Sequence, residues 1–180
     1  MAGTKILNSY YLTQLNQALT NHLAHNSSAP RIAIIGVGNE LNGDDSAGVL
    51  VSRRISQSIQ NSKFIYNVEG SISPENYTAP IRRFEPDWIW LIDAADFNQK
   101  PGAVRILPLD QVNGVSNFTH GLPLNVLAEF LQKETNSVIF LFGIQPMNIE
   151  PFTSISKIVK LVVDDLASTL IVWLKKYIIH

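Results

Sequence analysis

The chain has 180 residues, 46% hydrophobic and 16% charged, with a formal net charge of -1; this is the make-up of one core-rich globular domain and excludes disordered and fibrous classes. Such a balance offers no electrostatic footprint for nucleic acid or an anionic membrane, and the lack of cysteine removes disulfides, thiolate metal sites and cysteine nucleophiles. Chemistry must therefore come from carboxylates, histidines, hydroxyls or lysines.

In chain order, Leu12, Leu15, Leu19 and Leu23 recur every three or four residues and so fall on one face of a helix. The polar stretch HNSSAP, closing on Pro30, ends it. Residues 1–30 are expected to be a helical extension packed on a main domain of residues 31–180. No apolar run in them is long enough for a secretory signal, so the expected location is the cytoplasm. Beyond Pro30, the runs RIAIIGV, KFIYNV, WIWLIDAAD, AVRILPL and SVIFLFGI are rich in β-branched and aromatic residues and bounded by turn chemistry. Between them lie SAGVLVSRRISQSI, PENYTAPIRRF and PLNVLAEFLQK, with helical patterning. Strands apolar on both faces and separated by helices predict a three-layer α/β/α sandwich around a mostly parallel twisted sheet of about five strands. Pro101 and Gly102, just before AVRILPL, mark an antiparallel edge strand. The C-terminal ISKIVKLVVDDLASTLIVWLKKYII is interrupted by Lys160, Asp164 and Asp165 where lipid would penalise charge, so it is expected to be a largely buried closing helix and not a membrane span.

In open α/β sheets, ligands bind beyond the carboxyl ends of the strands. Polar residues collect at four such ends: Asn39, Asp44 and Asp45 after the first strand, Glu69 after the second, Asp93 and Asp96 after the third, and Gln145 after the last. His120 stands shortly before Pro123, which opens a helix. Asp45, Asp93 and His120 together supply two hard oxygen ligands and one borderline nitrogen, a set suited to a divalent transition metal with positions left for substrate. Plainer roles stand beside these: an N-cap for Asp44 or Asp45, a turn cap for Asp93, a surface or packing role for His120. His22 and His25, three apart on the N-terminal helix, can chelate a metal as any such pair can, but nothing nearby supports it; His180 is terminal. The opening GVGNEL is like a dinucleotide fingerprint, yet Leu41 fills a position that needs a small residue, and two aspartates stand where a pyrophosphate needs bare amides. No G-x-S-x-G elbow is present. Paired-carboxylate acid/base chemistry through Asp45 and Asp93 stays open, since sequence does not give their separation.

The segment GVGNELNGDDSAGVLV resembles the GNxLxxDDGxG motif of the nickel-iron hydrogenase maturation endopeptidases. The similarity continues through EGSISPEN, LIDAADFNQKPGAVRIL, THGLPLNVLAEFL and VIFLFGIQP, spanning residues 31–165, and is greatest to the branch serving hydrogenase-3-type enzymes. The resemblance implies an endopeptidase that trims the C-terminal tail of a nickel-loaded [NiFe] hydrogenase large-subunit precursor. It also implies that Asp45, Asp93 and His120 are the metal contacts and catalytic residues, the set already gathered from the strand ends. Asn39, Asp44, Glu69 and Gln145 stand beside them as supporting residues, Asn39 either orienting a carboxylate or capping its turn.

Nickel is expected in the substrate, with no tightly bound cofactor in the free protein. There it fixes the scissile peptide and either polarises the carbonyl or activates a water. Because His120 must be neutral to bind, and the reference pKa of histidine is about 6.5, recognition should weaken below about pH 6. Two positions depart from the family pattern: Ser46 replaces a glycine and Glu69 an aspartate. The competing readings are a non-catalytic nickel-binding chaperone or docking module for the precursor, and an unrelated small α/β hydrolase or nucleotide binder. A monomer is expected.

Overall fold

The structure, a computed structural model, describes residues 10–108 and 123–179. Its strands are β1 (Ile32–Val37), β2 (Ile65–Ser71), β3 (Trp88–Ala94), β4 (Val104–Leu107) and β5 (Val138–Ile144). They form one sheet in the order β2-β1-β3-β5-β4. All neighbours are parallel except the edge strand β4, antiparallel to β5. The turn at Pro101 and Gly102 is too short for the crossover that a parallel pairing needs.

Alternation along each strand gives the sheet two apolar faces. Ile32, Ile34, Trp88, Trp90, Phe140 and Phe142 point to one core cluster, and Ala33, Ile35, Ile89, Leu91 and Leu141 to the other. The first is covered by α1 (Tyr10–His25), α2 (Ala47–Ser58) and α5 (Lys157–Tyr177), the second by α3 (Thr78–Phe84) and α4 (Leu124–Thr135). Strands with two covered faces read as unbroken apolar runs, which is why the three layers were legible.

The N-terminal helix belongs to the same core. Tyr11, Leu15 and Leu19 are buried, Tyr11 meets Phe142 edge-on at 6.1 Å, and Asn16 Oδ1 accepts the Trp173 Nε1–H at 2.8 Å. His22 packs edge-on against Trp88 at 5.9 Å with Nε2 3.2 Å from Ser28 O, and His25 Nδ1 lies 2.9 Å from Asn21 O. That histidine pair finishes its helix by packing and local hydrogen bonds.

The closing helix differs from expectation. Val159, Val163, Leu166, Leu170 and Trp173 are buried, whereas Leu161 and Val172 face solvent. It is therefore buried on one face only, because an outer layer has a single apolar neighbour. Asp164, one of the charges interrupting the apolar run, pairs with Arg54 of α2 at 2.5 Å. Among the described residues no helix is long and apolar enough to cross a membrane.

From β1 the chain goes out to β2 and returns on the other side of β1 as β3, so the strand order reverses between the carboxyl ends of β1 and β3. This switch point is where an open α/β sheet forms a crevice. Gly48, in the first turn of α2, sets how closely that helix approaches it: a Cβ there would lie 2.0 Å from Ile92 O and 2.4 Å from Val37 O, backbone atoms that cannot swing aside. Gly48→Ala is expected to cost about 2–3 kcal/mol by overpacking, seen as a lower denaturation midpoint; a midpoint equal to the parent's would mean that the helix does not sit so tightly.

Candidate functional site

The chain leaves β1 through Gly38, whose φ is +137° and whose Cβ, if present, would lie 1.8 Å from the backbone oxygen of Asp45. Only glycine combines that conformation with that clearance. Asn39 then closes an Asx turn, its Oδ1 accepting the Leu41 N–H at 3.0 Å, while its own N–H donates to Asp45 Oδ2 at 3.0 Å. The Asn39 side chain thus caps its turn, while the bond to the Asp45 carboxylate comes from its backbone. A short 3-10 turn, Gly43–Ser46, carries the two aspartates into α2. Ser46, in place of a glycine, is accommodated because its hydroxyl donates to Gly43 O at 2.6 Å.

The neighbouring aspartates have separate tasks. Asp44 is fully buried; its Oδ2 accepts the N–H groups of Met147 and Asn148 at 2.8 and 3.0 Å and the Ser156 hydroxyl at 3.0 Å, and its Oδ1 accepts the Ser156 N–H at 2.6 Å. Ser156 in turn caps α5, its Oγ accepting the Val159 N–H at 3.3 Å. Asp44 is thus not the N-cap of the helix that follows it. It clamps the segment after β5 and steadies the cap of a helix remote in sequence.

Asp93 is the last residue but one of β3, one beyond Ile92, which forms the last β1–β3 pair with Gly36; it lies opposite Gly143 of β5, within the strand and not after it as expected. It is 1% exposed, and among the described residues neither of its carboxylate oxygens has a hydrogen-bond partner. A turn cap would bond nearby amides; Asp93 does not. Burial, and after it the charge of Asp45, push its carboxyl well above the usual carboxylate range. The Ala94 N–H acts in the opposite sense without closing a hydrogen bond of ordinary geometry. Asp45 is 6% exposed and aimed by the Asn39 amide. Native folds rarely leave a buried carboxylate unpaired. Two acids at the switch point can offer hard oxygens to a cation, or act as a general acid and base.

The other expected residues lie around them. Gln145 Oε1 accepts the Phe97 and Gln99 amides at 2.9 and 3.2 Å, and its Nε2 donates to Asp96 Oδ1 at 3.1 Å, so it fixes the loop leaving β3. Bonds from the Asn98 N–H and, after it, from this amide hold the Asp96 carboxyl below the ordinary range. Glu69 turns to Arg53, whose Nη2 donates to its Oε2 at 2.6 Å; Arg53 also forks onto Glu40 at 2.7 and 2.9 Å. Its extra methylene is used to reach that guanidinium. His120 lies outside the described residues, and among the described ones no three acidic or histidine side chains form a metal-binding group. Arg53 and Ser156 are the positions that sequence reasoning missed, since their partners lie 13–112 residues away.

A family model described as HycI, hydrogenase maturation protease, matches residues 49–173. A putative hydrogenase maturation protease of Methanocaldococcus jannaschii is 35% identical over 147 residues, covering 78% of this chain and 86% of that protein. The hydrogenase 3 maturation protease of Escherichia coli is 34% identical over 114 residues, 63% of this chain and 71% of that one. Among solved structures, the [NiFe] hydrogenase maturation protease HycI of Thermococcus kodakarensis aligns with a TM-score of 0.74 at 34% identity, over 81% of this chain and 92% of the other.

Proposed function

Because the chain belongs to the hydrogenase maturation protease family, we propose that it removes the C-terminal tail of the nickel-loaded large-subunit precursor of a [NiFe] hydrogenase, and that the nickel in the substrate is what it recognises. The observation that carries this reading is Asp93, a buried carboxylate without a hydrogen-bond partner among the described residues, beside the charge of Asp45. A cation arriving with the substrate offsets both the desolvation of Asp93 and its repulsion by Asp45. An empty precursor brings nothing that does so, and binding becomes a checkpoint for metal insertion.

In this reading Asp45, oriented by the Asn39 amide, and Asp93 are two contacts to the metal, and His120 is the third by family resemblance. Holding the nickel fixes the peptide next to it, and the metal polarises the scissile carbonyl or activates a water. Hydrolysis must also move a proton from the attacking water to the departing amine, for which Asp45 is the more accessible carboxylate. Metal binding at Asp93 displaces a proton that its surroundings favour, so recognition falls as pH is lowered.

The test is the intact mass of a cognate precursor, nickel-loaded or empty, after mixing with this protein or its Asp45→Asn form. Tail loss is expected only with nickel and only with Asp45. A verified loaded precursor left whole by the parent protein would sink the protease reading and leave a nickel-binding chaperone in its place.

A further inference from the structure

Leu41, Met147, Ile149 and Phe152 are 60, 66, 40 and 87% exposed, and all four stand on the two segments that frame the acid pair. Those segments are joined backbone to backbone. Phe152 N–H donates to Leu41 O at 2.6 Å, Gly43 N–H to Thr153 O at 3.1 Å and Asp44 N–H to Asn148 O at 2.8 Å, and Asn42 forms a parallel bridge with Thr153. The Asp44 carboxylate ties the same two segments from inside. An apolar ridge is therefore fixed to the turn that bears Asp45.

Single exposed hydrophobic residues need no explanation. Phe152 is different, because its φ of +60° lies in the left-handed region that bulky residues avoid, and its ring goes to water instead of into the core. The fold bears both costs beside the candidate site and recovers neither internally. Charge narrows what the ridge can accept. Arg53 is held between Glu40 and Glu69, Glu150 lies on the ridge segment, and Glu40 and Asp45 stand beside Leu41 on the turn bonded to it. An acidic segment is repelled.

We propose that Leu41, Met147, Ile149 and Phe152 form the docking ridge for the precursor's polypeptide next to the cleavage point, and that it takes an apolar segment without acidic residues. The identity of the partner rests on the protease reading above; the ridge does not depend on how nickel is used. Since Leu41 shares the turn of Asp45 and the other three stand on the segment bonded to that turn, a chain lying on the ridge brings its neighbouring peptide bond to the acids.

The Met147→Ser/Phe152→Ser variant of the full chain tests this against the nickel-loaded precursor. KM for tail removal, and the Kd measured directly, are expected to rise about 10-fold or more, as for loss of aromatic anchors, with kcat within about twofold of the parent's and no fall in Tm. If Tm falls, Leu41→Ser/Ile149→Ser decides instead. An unchanged KM and Kd, or a loss confined to kcat, overturns the ridge. So does a parent protein that self-associates through this surface and is made monomeric by the variant, since the occupant is then a second copy. Binding without cleavage, weakened by the variant, keeps the ridge and removes the protease reading; a parent that binds no precursor removes both.

Discussion

Asp93→Asn is expected to raise the melting temperature of the metal-free protein at pH 7 while lowering nickel-dependent cleavage by about 100-fold or more. The gain arises because the native carboxylate is buried, has no hydrogen-bond partner among the described residues and faces the charge of Asp45. Leaving such a group unsatisfied costs about 1–3 kcal/mol, equivalent to roughly 2–12 °C for a chain of this length. Its pH dependence has a definite sign. A carboxyl whose folded pKa is raised contributes stability that is fully present below its unfolded value, near pH 3.9, and lost as pH climbs towards the folded value. The advantage of the amide is therefore widest at neutral pH and gone by about pH 4. Thermal scans of both proteins from pH 4 to pH 8 read this directly. An Asn variant that melts below its parent at pH 7 would mean that Asp93 has a stabilising partner, and the metal reading would lose its main support.

Asp44→Ala is expected to have the opposite effect on stability. It strips the acceptor from three backbone amides, those of Met147, Asn148 and Ser156, and from the Ser156 hydroxyl. Breaking a buried charged network of this kind costs about 3–5 kcal/mol, a fall of roughly 6–20 °C. Asp44→Asn keeps one acceptor oxygen but turns an NH2 towards the donors, so it should recover only part of the loss. The local signature is faster amide exchange at Met147, Asn148 and Ser156. Because this segment joins the turn of Asp45, precursor binding should weaken as well. Stability within 1 kcal/mol of the parent's would show that water replaces the clamp at little cost.

Asp44→Ala removes one half of a pair that the sequence offers as a single motif, whereas Asp93 stands 48 residues beyond Asp45, in β3. The DD pair is visible on first reading, and so is its place between an apolar strand and a helix. Which acid faces a ligand and which holds the fold together is not visible, because the donors to Asp44 come from residues 147–156 and nothing within its own segment marks them. Glu69 is a similar case. As a departure from a family motif it is plain in the sequence, but the use of its carboxylate for Arg53 depends on a contact between β2 and α2, whereas Ser46 bonds only three residues back within its own turn.

By itself, the sequence determined the layers and the family. Unbroken apolar runs in fully covered strands, helical spacing between them and a short Pro–Gly turn before β4 lead to a five-stranded, mostly parallel sheet with an antiparallel edge. These signals are local, and local periodicity survives in one dimension. Only the tertiary structure decided that Asp93 is buried without a hydrogen-bond partner among the described residues, that Asp44 is a clamp, and that α5 buries one face while Leu161 and Val172 stay outside. The reason is the same in each case: burial, pairing and charge repulsion belong to distances between elements, and those distances exist only once β1, β3, β5 and their connections have been brought to one end of the sheet.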